Sequence, residues 1–160
     1  MITKEYLQSV INYDSQTGIF TWKIKKGRKL IGSKAGKDCH GYSSICIDYK
    51  SYFAHRLAWL YVYGYMPKLI DHINLNKSDN RIINLREATV SQNSCNSKIR
   101  VDNVSGIKGV SWDKLYNKWY AKCTFNKTQY NLGKYNNIED AINVVNAFRH
   151  QHHQEFARAI

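Results

Sequence analysis

The hydrophobic positions of this chain fall in short blocks whose period changes several times. Tyr6, Leu7, Val10 and Ile11 recur at helical spacing behind Thr3, a residue suited to cap a helix. Asp14-Ser-Gln-Thr-Gly18 is a turn in which glycine is free to take positive φ, and Ile19 to Ile24 follows as a strand. A further strand is predicted over Ser44–Asp48, with Tyr49-Lys50-Ser51 turning the chain into Tyr52-Phe53-Ala54. His55 then opens a helix through Tyr63 that Gly64 can end in a left-handed cap, and Pro67 soon after agrees with the stop. Leu57, Trp59, Leu60 and Val62 predict that this helix is largely buried.

From Leu69 to Asn96 the pattern reads strand, long loop, short strand and helix. Leu69-Ile70 runs into Asp71-His72, a polar loop spans Asn74 to Asn80, and Arg81-Ile82-Ile83-Asn84-Leu85 returns toward the core. Thr89 or Ser91 starts a polar helix that carries Asn93. Residues 99–106 are small, polar and turn-rich, which places a domain boundary there, between units 1–100 and 105–160. Beyond it, Lys118–Phe125 alternates strictly, with Trp119, Ala121, Cys123 and Phe125 on one face and Lys118, Tyr120, Lys122 and Thr124 on the other. Asn126-Lys127 is a tight turn into Thr128–Gly133. Asn137 caps a helix whose apolar face is Ala141, Ile142, Val144, Val145 and Phe148.

Charge adds a partner to this picture. The chain has 24 Lys+Arg against 12 Asp+Glu, a formal charge of +12, so a polyanion is expected, nucleic acid ahead of an acidic membrane surface. With 12 Tyr and 4 Trp it is no disordered basic tail. The stretch from Lys25 to Lys37 concentrates Lys25, Lys26, Arg28, Lys29, Lys34 and Lys37, a solvated loop or a phosphate contact. No run approaches the roughly 20 apolar residues a membrane span needs, and MITKEYLQSV lacks a signal peptide's apolar core. Cys39, Cys46, Cys95 and Cys123 form no CxxC, so reduced thiols and a cytoplasmic setting are expected.

The chemistry concentrates in Asp71, His72, Asn84 and Asn93. A carboxylate and an amide oxygen are hard ligands, suited to one hydrated divalent cation such as Mg²⁺ or Mn²⁺, whereas a zinc site would want Cys pairs or clustered His. His72 alternates to the other side of an extended segment from Asp71, so it can stay off the metal and serve as general base on water. The bland reading makes Asp71-His72 a turn and Asn84 a loop cap; it explains each residue singly but not the four together.

The pattern D-H…DNR-x-x-NLR-x-A-T…N resembles the HNH endonuclease motif in its His-Asn-Asn form, as in phage and intron-encoded homing and nicking enzymes. Upstream, Y-x-AHRLAW…YG-x-x-P-x-x-IDH extends the resemblance to most of residues 13–98. It implies an α+β fold whose catalytic ββα-metal core spans about 54–98, behind an N-terminal β-rich extension. Asp71 and Asn93 would be metal ligands, His72 the base, and Asn84 the residue that braces the loop and orients that base. Arg56 is a candidate phosphate clamp, and His55 a structural or phosphate-contacting residue. G-V-x-W…KW-x-A…LG-x-Y…EDA, over about 105–150, resembles the DNA-binding domain of plant ethylene-response-factor (APETALA-type) proteins. That likeness implies a three-stranded antiparallel sheet packed on one helix, with the sheet entering the major groove through Lys108, Ser111, Tyr120, Lys122 and Thr124. This face has fewer arginines than the plant pattern, which weakens the case for arginine–guanine readout. His150, His152 and His153 fit the dipole of the last helix better than a metal site.

The expected protein is therefore an endonuclease acting on double-stranded DNA, monomeric or homodimeric, with no membrane partner; one motif copy suits nicking. A regulator that binds DNA without cutting it is the alternative, although it would have no need of metal ligands. An RNA-binding module would present aromatic rings for stacking, yet Trp119 and Phe125 alternate inward.

Overall fold

The computed structural model describes residues 2–25, 27–97, 99, 101–153 and 156, with the side chain of His153 left aside. Lys26 of the basic stretch lies outside the described residues. The fold is α+β, built from small antiparallel sheets. Two compact units divide it, Met1–Ala88 and Thr89–Ile160, so the division falls before the turn-rich 99–106 stretch.

In the first unit, α1 (Lys4–Val10) begins where Thr3 Oγ1 accepts from the Tyr6 amide. Ile11, which helical spacing assigned to that helix, instead opens β1 (Ile11–Asp14). β1 pairs with β2 (Ile19–Trp22), and β2 with β3 (Lys34–Ala35). β4 (Lys37–Cys39), β5 (Tyr42–Ile47) and β6 (Lys50–Phe53) make a second sheet. The basic stretch thus carries two short strands, and Lys25, Arg28, Lys29, Lys34 and Lys37 are all exposed. α2 (Ala54–Tyr63) starts one residue earlier than expected and ends at Gly64 in the left-handed region, φ 83°. Lys4 Nζ binds the Val62 carbonyl at its end, 2.9 Å, which ties α1 to α2. Val62 itself is exposed. Ala54 and Ala58 are buried with Leu57, Trp59 and Leu60.

That core gathers Leu7, Ile11, Phe20, Trp22, Ile45, Ile47 and Leu57, each 2% exposed or less, so each contributes about 1.5–3 kcal/mol of burial. Against it lies the last sheet of the unit, β7 (Ile70–His72) paired with β8 (Leu85–Glu87). The return strand expected over Arg81–Leu85 is instead a 3-10 turn, Ile82–Asn84, leading into β8. Ile83 is 80% exposed, so the segment has no second apolar position to hold it in a sheet.

The 14–18 turn fixes where the 73–81 loop returns. Gly18 has φ +72°, and a Cβ there would stand 2.5 Å from the Arg81 nitrogen and 2.6 Å from the Asn80 carbonyl carbon. The Ile82 amide donates to the Ser15 carbonyl, and the Tyr13 hydroxyl to the Asn80 carbonyl at 2.7 Å. Gly18→Ala is therefore expected to cost about 1–3 kcal/mol of stability, because backbone and not a side-chain tip must yield. Urea unfolding reads this directly; an unchanged midpoint would show that the turn does not press on the loop.

In the second unit, Thr89 caps α3 (Val90–Cys95) in a capping box with Gln92. β9 (Val110–Asp113), β10 (Lys118–Phe125) and β11 (Thr128–Tyr135) form one sheet with β10 central, and α4 (Ile138–His153) packs on it. Val110, Ala121, Cys123, Ala141 and Val145 are the core, with Trp119 half-buried beside them. A bulge between Ala121 and Lys122 shifts the register of β10 on β11. No described helix is long and apolar enough to cross a membrane.

Candidate active site

β7 brings two of the four chemical residues into the first unit's interior, and the 3-10 turn adds a third. Asp71 pairs across the sheet with Arg86 and His72 with Leu85. Strand alternation sends the two side chains to opposite faces. Asp71 is 4% exposed; its Oδ2 accepts from Arg86 Nε at 2.9 Å and from its terminal nitrogen at 2.8 Å. Two charge-assisted bonds thus converge on one carboxylate oxygen and anchor it in a buried ion pair.

His72, 6% exposed, lies among rings: the His55 imidazole at 5.0 Å, edge-on, and the Tyr42 ring at 6.0 Å. Burial lowers its pKa below the ordinary histidine value, and nearby Lys77 adds to this. The Asn80 amide and the Asp71 and Asp79 carboxylates work the other way without overturning it. The imidazole is therefore neutral at neutral pH and able to take a proton.

Asn84, 6% exposed, stitches the 73–81 loop shut. Its Oδ1 accepts from the Asn74 amide at 3.0 Å and its Nδ2 donates to the Asp79 carbonyl at 2.9 Å. Within the loop, Asn74 Nδ2 reaches Asp79 Oδ2 at 2.8 Å, and Arg81 grips the same carboxylate through Nε and a terminal nitrogen, 2.8 and 2.6 Å. Those bonds draw the Asp79 pKa down to about 2. The amide of one buried asparagine thus closes a loop whose other end holds Asn80 beside His72.

Asn93 stands on α3 in the second unit, half-buried, with no side-chain partner among the described residues. Arg56 is engaged within its own unit, donating to the Pro67 carbonyl at 2.9 Å and so holding the α2–β7 connection. Lys108 is likewise turned inward: its ammonium binds the Ser94 carbonyl at 2.7 Å, the Cys95 carbonyl at 3.1 Å and Ser97 Oγ at 2.7 Å, neutralising the end of α3. Ser111, Lys122 and Thr124 are exposed and Tyr120 is half-buried, opposite Ser111 across the sheet. His152 packs on Phe148 at 4.3 Å and on Phe125 at 5.3 Å, an aromatic contact.

Three residues that shape the site were not singled out from sequence: Arg86, Asn80 and Tyr42. Alternation over Leu85–Glu87 would have put Arg86 on the face of Asp71; nothing local announces Tyr42. His55 is 8% exposed, and its Nδ1 meets no hydrogen-bond partner among the described residues. Burial, then the neighbouring His72 and Arg56, push its pKa down to about 3.

That shift makes stability pH-dependent with a definite sign. The unfolded chain binds a proton on His55 below about 6.5 and the folded chain resists it down to about 3, so stability falls as pH drops through that window and is flat above it. The slope is roughly 1 kcal/mol per pH unit for one such group. His55→Phe should flatten it by about that amount between pH 7 and pH 5, measured by urea midpoints. An unchanged slope would relieve His55 of the effect.

As for metals, no three His, Cys, Asp or Glu gather among the described residues. Asp71 offers a carboxylate oxygen in the first unit and Asn93 an amide oxygen on α3 of the second; each is a hard donor of the kind a Mg²⁺-like ion accepts.

Residues 52–95 match the family model described as HNH endonuclease. The chain is similar to Protein 3.8 of Escherichia phage T7, 33% identical over 112 residues, which cover 69% of this chain and 92% of that one. It is also similar to the SPbeta prophage-derived putative HNH homing endonuclease YosQ of Bacillus subtilis, 31% identical over 114 residues, 69% of this chain and 65% of that protein's length. No solved structure matches.

Proposed function

We propose that this chain, which belongs to the family of T7 Protein 3.8 and carries an HNH endonuclease domain, is a divalent-metal-dependent enzyme that nicks double-stranded DNA. The observation that carries the reading is the neutral, buried His72, adjacent in sequence to a carboxylate and held beside a loop that Asn84 closes.

The chain's own groups divide the work. His72 takes the proton of the attacking water, which its neutral imidazole is prepared to do. Asn84 keeps the 73–81 loop, and with it Asn80, in place beside that ring. Asp71 and Asn93 would hold the cation, with Arg86 sharing the Asp71 carboxylate. When bound, the cation would neutralise charge on the scissile phosphate and the departing oxygen. Lys77, exposed on the same loop and 4.8 Å from the Tyr42 ring, is placed to attract the phosphate backbone.

In the second unit, the three-stranded sheet with one packed helix supports an APETALA-type DNA-binding role. Its contacts would come from Ser111, Tyr120, Lys122 and Thr124. Lys108 would act there through the order it gives to α3.

Conversion of supercoiled plasmid at low salt tests the reading. Open circles should accumulate with Mg²⁺ or Mn²⁺ and not with EDTA. One observation favours the alternative of a non-cutting DNA regulator: the Asp71 carboxylate already has a cationic partner in Arg86. Mobility shifts without cleavage under either metal would decide for it.

A further inference from the structure

α4 carries a buried charge that no carboxylate among the described residues of the second unit neutralises. Arg149 is 7% exposed, and one terminal nitrogen donates to the Lys108 carbonyl in a short hydrogen bond. No carboxylate pairs with it among the described residues. The Cys123 and Cys95 thiols are close at hand, but burial pushes both pKa values up, so they remain uncharged. A buried guanidinium with no anion among the described residues is costly, and one carbonyl and the neutral Cys123 thiol use only part of its five donors.

Arg149 lines a cavity of about 480 Å³ between α3 and the end of β10 beyond its pairing with β9. Lys108, Lys122 and Lys127 line it too, with the hydroxyl residues Ser91 and Thr124, and no Asp or Glu is among the described lining residues. β10 is open here because β9 pairs only with Lys118–Ala121; past that point the Lys122 amide goes to the Gly109 carbonyl and the Asn126 amide to Ser91 Oγ. Gly109 holds the approach close, since a Cβ on it would stand 2.5 Å from the Lys122 carbonyl oxygen. Lys108 is committed to α3; Arg149, Lys122 and Lys127 are the other cations among the described lining residues, with the Lys122 ammonium 5.7 Å from the Tyr120 ring.

We infer that this cleft is an anion site that takes a backbone phosphate of nucleic acid, with Arg149 as its buried fork and Lys122 and Lys127 at its mouth. A guanidinium beside ammonium and hydroxyl groups matches a tetrahedral oxyanion, and the cavity has room for a phosphate. The inference rests on the proposed function only for the source of the phosphate.

The test uses the full chain in EDTA, so that binding is read without cleavage. Lys127→Asn is a mild change, because Lys127 sits in a turn at φ 67° that asparagine tolerates well. Lys122→Gln is the second variant. Each should weaken duplex binding several-fold and lower the slope of log K against log salt by about 0.9. Inorganic phosphate, compared with chloride at equal ionic strength, should raise the melting temperature of the wild type saturably, and Lys127→Asn should lose that rise. A phosphate effect with unchanged DNA slopes would overturn the nucleic-acid assignment in favour of a free phosphate. Unchanged slopes with no phosphate effect, or a slope change in only one variant, would overturn the site. Because no divalent ion is present, a protein that never cuts can still pass, and an active nuclease can still fail.

Discussion

His72→Ala should lower the plasmid-nicking rate by about 10²–10⁴-fold, the range that removing a general base produces. Its signature lies in pH as well as rate. Because burial holds the His72 pKa below the ordinary histidine value, the wild-type rate should climb with pH through the acidic range and level off by neutrality. The variant should lose that climb, its residual rate following hydroxide alone. Acid is also expected to lower stability through His55, so the profile must be read where circular dichroism shows both chains folded. His72→Asn, which keeps a polar group beside Asn80, separates chemistry from packing: it should be folded and equally slow. Nicking at the wild-type rate in either variant, with the same need for metal, would remove His72 from the chemistry.

Much of this site is legible because its residues are local in sequence. Asp71-His72 sit at the end of an apolar run, and Asn84 lies one 3-10 turn before the paired strand, so pattern and motif place them without a fold. What sequence could not supply is the surroundings. Tyr42 comes from a different sheet, and Gly18 from a turn more than fifty residues before the loop it presses on. The exposed Ile83 also misled: two adjacent isoleucines read as strand, yet a 3-10 turn buries neither fully. On the sheet of the second unit, the predicted alternation shows over Ala121–Thr124, with Ala121 and Cys123 buried and Lys122 and Thr124 exposed, whereas Lys118, Trp119 and Tyr120 are all half-buried. Yet the Lys108 ammonium follows the carbonyls at the end of α3, which no periodicity encodes.

Asp71→Ala should destabilise the first unit strongly, by about 3–5 kcal/mol. The reason is the partner left behind. The Arg86 side chain is 13% exposed, and with the carboxylate gone its guanidinium stays buried against a methyl group. If Asp71 serves only that pair, Asp71→Ala/Arg86→Leu should recover most of the stability and, with it, whatever cleavage the single variant lost. If Asp71 is a metal ligand, the double variant should regain stability but not cleavage. Asp71→Asn sharpens the comparison: its amide oxygen can still accept from Arg86, so the fold should suffer less, while the lost charge should weaken the cation and raise the Mg²⁺ concentration needed for half-maximal nicking. Isothermal titration of Mn²⁺ into the folded Asp71→Asn protein gives the same quantity without turnover. Wild-type Mn²⁺ affinity there would return Asp71 to a purely structural role and leave the regulator reading the stronger one.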